Sequence, residues 1–524
     1  MSRHIATIAA ILLLVAPAWG AGAGPPASDG TDVAAELREM KQALQAQQRQ
    51  LEDLRREVRQ RDETIDQMQQ QIDRKEVAAT GAGGVSAPPP AKSESSFTLT
   101  PGGFIEAAGF YRTRNENADV GSTYGNVPFD GTGNAHLSEF RGSARQSRLS
   151  LLAQGQVEDM KLSGYYEMDF LGAAPTANEV ESNSFNLRQR QLWGQVEFGN
   201  GLSLLGGQAW SLMATSRKGI VARQELVPWT IDAQYVVGYN WARQWQARVT
   251  KRFGDSGLWL ALAVENPETT LSVVNPPAGV LGFNNSGNAT SPGSLFTLSN
   301  TPGANGISTD LAPDLTAKLA YEPGWGHYEL KLLGRFFRDR FSGHNDYATG
   351  EGLGAAAVLP VTENVNLIFE GLGGYGIGRY ASGVGPDVTL RPDGSIVTIP
   401  GFQGMAGVEA HPAESWDLYA YAGLEYYGRR DFTNALGQGV GYGSPLNDNS
   451  GCQLEIPGTC QAQNRLLWQL QPGFWYRFYR GPAGTLQLGM SYSYTRRLTW
   501  AGAGGVEPRG SEHIVMSSFR YYLP

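Results

Sequence analysis

The sequence predicts an all-β transmembrane barrel of about 16 antiparallel strands, preceded by an α-helical coiled coil. Three observations lead to this prediction. Glycine is frequent, at 67 of 524 residues, and only 18% of residues are charged, which is typical of many short strands joined by glycine-rich turns. Segments of roughly ten residues alternate apolar and polar side chains. Short turns and long excursions alternate between those segments, which is the pattern of a membrane barrel.

Residues 1–23 have the features of a secretory signal peptide. Arg3 precedes an apolar run over residues 5–15, and small residues follow it. The run is too short to cross a bilayer as a helix. Cleavage after Gly20 and cleavage after Ala23 both fit the small-residue rule. We therefore expect an exported chain, with a short anchoring helix as the alternative.

Residues 31–76 predict a coiled coil. A heptad repeat runs from Val33 to Ile72, and its a and d positions are apolar except at Gln47 and Arg61. Polar layers of this kind fix the register or the number of helices. The seam fits a dimer or a trimer, and a single amphipathic helix lying on a surface is the alternative.

The rest of the chain predicts a barrel domain over residues 98–524, reached through a Gly/Pro/Ser linker at residues 77–97. Apolar strand faces must meet lipid, and polar faces must line a watery lumen, because sixteen strands enclose more space than side chains fill. Aromatic residues gather at strand ends, as in the girdles at bilayer interfaces. The candidate strands are 102–112, 145–157, 161–171, 186–198, 202–210, 240–253, 257–265, 311–322, 326–340, 350–362, 365–380, 399–412, 415–428, 463–480, 484–499 and 510–522.

Three stretches of the sequence resemble trimeric general porins of Gram-negative bacteria, and among them the DcaP-like porins. They are the heptads of residues 33–72, SARQSRLSLLAQG at 143–155, and NLRQRQLWGQVEFGNGLSLLGGQAWS at 186–211. The last stretch has the arginine-rich strand, tight turn and Gly-Gln-x-Trp that precede the constriction loop in such porins. The resemblance implies a 16-stranded barrel in the outer membrane, a periplasmic coiled coil and a homotrimer. One departure is the C-terminus, Leu523-Pro524, where outer-membrane proteins usually end in Phe.

A basic insert between two candidate strands is the predicted constriction. Between the alternating runs of Leu202 to Phe253, an excursion carries Arg217, Lys218 and Arg223. The resemblance makes this the third outer loop, which folds into the pore. We expect its three basic side chains to face Arg148, Arg188 and Arg190 across the narrowest part of the lumen.

The charges that line the narrowest part of a pore set its selectivity. Polar strand faces assign more basic than acidic residues to the lumen, although the chain has a net charge of -8. Arg188 and Arg190 are counted among the lumen-facing residues, although the apolar Leu192 and Val196 occupy the same alternate positions of that strand. The predicted lining and constriction residues are Arg148, Arg188, Arg190, Arg217, Lys218, Arg223, Arg248, Lys331, Arg335 and Arg477, with Lys161, Lys318 and Arg465 as further basic candidates and Glu167, Asp169, Glu329, Glu370 and Glu425 as acidic ones.

The expected function is a water-filled channel for passive diffusion of small hydrophilic solutes. Guanidinium groups stay charged and offer a planar fork to carboxylates, so we expect a preference for anions such as organic acids and dicarboxylates. The alternative is a non-selective channel in which the lumen charges are only solvated. The expected partners are small anionic solutes, the bilayer with its outer-leaflet lipid, and two further copies of the chain.

Two other functions stay open. A carbohydrate porin of the eighteen-strand kind would use an aromatic slide, for which Trp193, Trp210, Tyr165 and Trp475 are candidates unless they serve as girdle or packing residues. A structural tether would act through the coiled coil. Loop 266–310 either caps the pore or latches a neighbouring subunit.

Several classes of function are not expected. Cys452 and Cys460 lie in one loop of an exported chain, which predicts a disulfide, and no histidine or carboxylate cluster accompanies them to suggest a metal. The sequence shows no dominant basic face, so a nucleic-acid partner is not expected. The histidines have no convincing catalytic partners, so neither an enzyme nor a cofactor is expected.

Overall fold

The computed structural model describes residue 41 and residues 97–118, 120–172, 186–277, 308, 310–456 and 458–524. Apart from Lys41 and Phe97, the predicted signal peptide, coiled coil and linker lie outside the described residues. Within those ranges, no helix is both long and apolar enough to cross a membrane.

The described chain forms one closed antiparallel barrel of sixteen strands, which confirms the predicted barrel and its strand count. Every strand pairs with its neighbours in sequence, and the last returns to the first, with Phe104 opposite Tyr522. The second strand is interrupted, and both of its segments pair with the first. The strands are β1 Phe97–Arg112, β2 Glu139–Ser143 with Arg148–Val157, β3 Met160–Gly172, β4 Asn186–Glu197, β5 Leu202–Trp210, β6 Arg243–Arg252, β7 Leu258–Glu265, β8 Asp314–Tyr321, β9 His327–Phe341, β10 His344–Thr362, β11 Val365–Tyr375, β12 Pro400–Ala413, β13 Trp416–Tyr427, β14 Asn464–Gly481, β15 Gly484–Thr499 and β16 Arg509–Tyr522.

The strands alternate between an apolar outer face and a polar inner face. On β3, the side chains of Tyr165, Glu167 and Asp169 are buried inside the barrel, whereas Leu162 is exposed on the outside. Leu262 on β7 is likewise exposed. An outer surface built of such residues is stable against lipid and not against water. The period-two pattern therefore fixes which side chains reach the lumen.

The connections are short at one end of the barrel, here the turn end, and mostly long at the other, the loop end. The exception is the two-residue turn of Ser342 and Gly343, whose φ angles are 49° and 85°, as a tight hairpin requires. This turn lengthens β9 and β10, so β10 begins at His344 and not at the predicted residue 350. The described start of loop 266–310 bridges to two other long loops of the same chain, Leu271 to Val388 and Val274 to Gly441.

Two β-bulges decide which arginines face inward. On β4, Gln189 lies opposite Met168 and Gln191 opposite Glu167, so Arg190 is an extra residue. A bulge shifts the alternation by one position. Arg190 and Trp193 are therefore both buried inside while Leu192 is exposed, which resolves the parity conflict in the sequence.

The second bulge lies on β14. Arg477 pairs with Gln487 and Tyr479 pairs with Leu486, so Phe478 is the extra residue. The bulge brings Arg480 onto the same face as Arg477 despite their opposite parity.

A disulfide joins Cys452 and Cys460 in the long loop between β13 and β14, with the Sγ atoms 2.11 Å apart. The pair packs against Phe129 of the loop between β1 and β2 and against Ala462. The bond thus lies where two loops meet at the loop end.

Candidate functional site

The loop between β5 and β6, residues 211–242, folds into the barrel, and we call it the inserted loop. Its residues 234–240 are all buried. The Arg190 guanidinium of β4 donates to the Tyr235 hydroxyl at 3.2 Å, and the Val237 N–H donates to Gln469 of β14 at 3.0 Å. The loop therefore divides the lumen.

Charged side chains on one side of the barrel hold the first part of the inserted loop. The Lys318 Nζ donates to the Ala214 carbonyl at 2.5 Å, and the Lys331 Nζ donates to the Met213 carbonyl at 2.9 Å. Glu329 lies between the two ammonium groups, at 3.0 Å from Lys318 and 3.3 Å from Lys331. We call this side of the lumen the anchoring wall; its members are Lys318, Glu329, Lys331, Glu370, Glu409 and Glu425.

One carboxylate of the anchoring wall fastens both ends of the inserted loop. Glu370 accepts hydrogen bonds from the Thr215 hydroxyl at 2.5 Å and from the Asn240 N–H at 2.8 Å. Glu425 accepts another from the Gly238 N–H at 2.8 Å. Hydrogen bonds to a charged acceptor are stronger than neutral ones, so the loop is firmly fixed.

The backbone of the inserted loop lies directly on the anchoring wall. A Cβ atom at Gly423 of β13 would lie 1.8 Å from the Val237 carbonyl oxygen. Gly238 has a φ of +86°, and a Cβ there would meet the Gly404 carbonyl oxygen at 2.1 Å. Glycine is required at both positions because no side chain fits between the two backbones.

The other side of the inserted loop borders a cavity of about 690 Å³. The loop contributes residues 227–230, 232, 233 and 235, and the facing surface comes from strands β1–β4 and β13–β16. Five arginines and four carboxylates line the cavity. They are Arg148, Arg190, Arg477, Arg480, Arg520, Glu167, Asp169, Asp232 and Asp417.

The arginines of this surface lie in two cross-strand rows. In the first row, Arg477 pairs with Gln487, which pairs with Arg520. The second row runs over seven strands from β14 to β4. Its members in order are Arg480, Thr485, Tyr522, Phe104, Arg148, Asp169 and Arg188. We call this surface the arginine wall; it comprises Arg148, Arg188, Arg190, Arg477, Arg480 and Arg520.

Two members of the arginine wall are strongly neutralised. Arg190 donates to Glu167 at 2.6 Å and to Asp169 at 2.8 Å. Arg188 also donates to Asp169, at 2.6 Å. These contacts fix the side chains on β3 and β4 in place. The two arginines therefore stabilise the wall and have few donors left for a solute.

Two members of the arginine wall, Arg148 and Arg480, keep donors available to a solute, whereas Arg477 and Arg520 are paired with carboxylates. Arg148 lies 3.7 Å from Glu167, and its side chain is 28% exposed. Arg480 is exposed, and its guanidinium makes no ion pair or hydrogen bond with a described residue. Arg477 pairs with Asp417, and Arg520 lies 3.0 Å from Glu106. The wall therefore presents a net positive surface to the cavity.

Tyr235 is the residue of the inserted loop closest to this positive charge. It adopts a φ of 71°, which is strained for a non-glycine residue. Burial alone raises the pKa of Tyr235, but the nearby guanidinium groups of Arg190, Arg243 and Arg148 outweigh it and lower the pKa to about 8. The shift reports the positive potential in the cavity.

The predicted lining residues divide between the two walls. Arg148, Arg190 and Arg477 line the cavity, and Arg188 adjoins it. Lys331 belongs to the anchoring wall. Two other predicted constriction residues on strands, Arg335 and Arg248, also point inward but are bound by groups of the protein. Arg335 is held by Asp314 at 3.2 Å and Asp387 at 2.6 Å, and Arg248 donates to Gln246 at 2.9 Å.

The basic residues of the inserted loop do not line the cavity beside the arginine wall, contrary to expectation. Arg217 donates to Glu409 of the anchoring wall at 2.6 Å. Arg223 lies over the Tyr165 ring at 4.8 Å, and Lys218 is exposed; none of the three lines the cavity. The reason is electrostatic, since buried carboxylates attract Arg217 and the arginine wall repels it.

The sequence reading missed several residues of the cavity. Arg520 shares its parity with the inward-facing Glu512 and Ser518, a signal that was present but obscured by Ile514 and Met516 on the same face. Arg480 had no usable signal, because the bulge on β14 reverses the parity there. Of the aromatic candidates, Tyr165 and Trp475 line the cavity and Trp193 and Trp210 do not; Trp229, Phe104 and Tyr522 also line it.

No protein-family model matches the chain, and no curated protein sequence matches it. Among solved structures, the outer membrane channel DcaP of Acinetobacter baumannii superposes with a TM-score of 0.56 at 17% identity, covering 83% of this chain and 100% of that one. This likeness establishes a shared fold. An anion-selective porin from Comamonas acidovorans has a TM-score of 0.42 at 11% identity, covering 82% and 100%. OprB of Pseudomonas putida has a TM-score of 0.43 at 12% identity, covering 81% and 94%.

Proposed function

We propose that the chain is an outer membrane porin, a water-filled channel through which small hydrophilic solutes diffuse and in which anions such as organic acids and dicarboxylates are favoured. The observation that carries the proposal is the cavity of about 690 Å³ inside a closed barrel, between the inserted loop and the arginine wall. An apolar outer face and a charged interior suit a barrel that lies in lipid and encloses water.

The chemistry of the arginine wall favours anions. A guanidinium offers a planar pair of donors that matches a carboxylate, and it remains charged at any working pH. Arg148 and Arg480 have donors that no described carboxylate occupies fully. In a watery lumen each contact is weak, which transport requires because a tightly held solute would not leave.

Planar-bilayer recording tests the channel and its preference together. The purified protein is expected to give stepwise conductance, and its reversal potential in a salt gradient is expected to have the sign of anion preference. A cation-selective reversal potential would refute the preference for anions. A folded protein that inserts and gives no conductance would refute the channel itself.

Liposome swelling distinguishes organic acids from sugars. We expect faster swelling with a dicarboxylate than with a neutral sugar of similar size. Faster entry of the sugar would favour the carbohydrate porin, for which Tyr165, Trp229 and Trp475 along the cavity would be the contact residues. The sixteen strands observed differ from the eighteen on which that alternative was based.

We also propose that the mature protein is a homotrimer whose coiled coil, residues 31–76, lies in the periplasm. The heptad repeat and the fold shared with the DcaP channel support this arrangement. Chemical crosslinking is expected to give a three-subunit band, and currents are expected to close in three equal steps. Deleting residues 31–76 should leave conductance intact; a weakened envelope with unchanged conductance would support the tether.

A further inference from the structure

Two aspartates face each other where β9 and β10 extend towards the loop end. Asp339 of β9 lies directly opposite Asp346 of β10 in the antiparallel register. The two strands run on to the tight turn of Ser342 and Gly343. Directly opposed residues have Cβ atoms about 5 Å apart, and like charges placed there destabilise the pair.

Asp339 carries no ion-pair or side-chain partner, and only the backbone of Asp346 offers it compensation. Its side chain is 1% exposed, and neither Oδ1 nor Oδ2 has a hydrogen-bond partner. Neither aspartate forms an ion pair with any described residue. Glu329 on the same strand shows the contrast, because Lys318 and Lys331 flank it within 3.3 Å.

The neighbouring aspartate is already fixed by another loop. Asp346 Oδ2 accepts a hydrogen bond from the Ile396 N–H at 2.7 Å. Ile396 belongs to a short hairpin of Val388–Leu390 with Ile396–Thr398 that packs on the inner side of β9 and β10. Asp346 therefore has one oxygen bound to this hairpin and one that remains for another contact.

A buried carboxylate without a partner is costly, and a second carboxylate beside it increases the cost. Carboxylate oxygens are the ligands that hard divalent cations prefer. We propose that a divalent cation of the Ca²⁺ or Mg²⁺ type binds between Asp339 and Asp346. Bound there, it joins the end of the β9–β10 hairpin to the hairpin of residues 388–398.

The number of carboxylates at the site indicates its affinity for the cation. Among the residues that the structure describes, no three or more His, Cys, Asp or Glu side chains form a metal-binding group, so the proposed site has two carboxylates. Water fills the remaining coordination positions, as is common for Mg²⁺ and for weak Ca²⁺ sites. We expect a dissociation constant of about 10⁻⁴ to 10⁻³ M, in the range of extracellular calcium modules.

Equilibrium dialysis of the full-length protein in detergent against radiolabelled Ca²⁺ tests the site. The wild type is expected to bind one cation more than Asp339→Asn in this concentration range, and Mg²⁺ is expected to compete. The matched control is Asp255→Asn, which removes the same charge from a fully exposed carboxylate in a turn at the opposite end. It should bind as the wild type does.

A second variant keeps the test valid if Asp339→Asn folds poorly. Asp346→Asn should also lose the same single cation, with folding checked by the heat-dependent mobility of the barrel on gels. Equal binding by the wild type and both variants would overturn the proposal, and so would an equal loss in Asp255→Asn. No bound cation together with a more stable Asp339→Asn would also overturn the proposal, because the two carboxylates would then only repel each other.

Discussion

The two sides of the lumen use similar residues for opposite purposes. On the anchoring wall, Lys318 and Lys331 are at most 2% exposed, and each is bound to a carboxylate and to a carbonyl of the inserted loop. On the arginine wall, Arg148 is 28% exposed, Arg480 is exposed, and both border a cavity. Both sets lie on inward-facing strand positions. Strand alternation therefore identifies inward charge, whereas the path of the inserted loop decides which charge is free.

The difference in charge between the two walls also explains why the inserted loop lies off the centre of the lumen. Carboxylates at Glu370, Glu409 and Glu425 attract its N–H groups and its one strongly bound arginine, Arg217. On the opposite wall the carboxylates of Glu167, Asp169 and Asp417 are already bound by its own arginines. The loop consequently lies on the acidic side and leaves the space beside the arginines open.

The largest expected effect comes from separating the inserted loop from the anchoring wall. Gly423→Val places a side chain where a Cβ atom alone would lie 1.8 Å from the Val237 carbonyl. We expect a loss of about 3 kcal/mol in the free energy of unfolding, as for severe overpacking, with noisier and larger single-channel currents. Guanidinium unfolding in detergent and bilayer recording measure the two effects.

The matched control for that substitution is Gly371→Val on β11, two strands away from β13. A Cβ there meets nothing closer than 3.6 Å. Equal destabilisation by both variants would mean that the inserted loop does not lie on the wall as described.

The second-largest effect is expected from removing the Arg217 charge, which should lower stability and leave ion selectivity unchanged. Arg217→Gln leaves Glu409 buried with the Tyr421 hydroxyl as its remaining side-chain partner. We expect a loss of about 2 kcal/mol in unfolding free energy, less than for a fully buried pair because Arg217 is partly exposed. The reversal potential should stay unchanged. Adding Glu409→Gln should recover part of the stability, and a fall in anion selectivity would break the distinction between the two walls.

The arginine wall is expected to show the converse behaviour. Arg148→Gln and Arg480→Gln should each reduce the anion-to-cation permeability ratio by up to about fivefold at low salt, because a unit charge at about 4 Å in water is worth about 1 kcal/mol. The reduction should shrink as salt screens the charge. Reversal potentials measure it. Arg509→Gln, which removes an exposed arginine at the loop end, is the control that should leave the ratio unchanged.

The smallest expected effect is a pH dependence at Tyr235. Its pKa is lowered to about 8 by Arg190, Arg243 and Arg148 against the opposing effect of burial. The phenol is neutral below that pH and becomes a phenolate above it, which adds negative charge beside the arginine wall. Anion selectivity should therefore decline modestly between pH 7 and pH 9. Tyr235→Phe should remove the decline, and a decline of the same size in that variant would assign it elsewhere.

Most of the fold could be predicted because alternation between lipid and water acts on each strand separately. The tenth strand begins too late in the prediction, because the sequence pattern places Ser342 and Gly343 in a longer connection. The site was harder to predict, because its contacts join distant residues. Arg217 pairs with Glu409, which is 192 positions away, and nothing within the inserted loop indicates that partner. Arg480 was missed because the strand changes its phase at Phe478.

The bulges at Arg190 and Phe478 have a consequence for how such a channel can change during evolution. Each is a single added residue that reverses the orientation of the strand beyond it. Deleting Phe478 alone would restore regular alternation, with Tyr479 still opposite Leu486 and Arg480 still opposite Thr485 and facing the lumen. One-residue insertions and deletions in strands can therefore be absorbed at a bulge without changing which charged residues line the lumen.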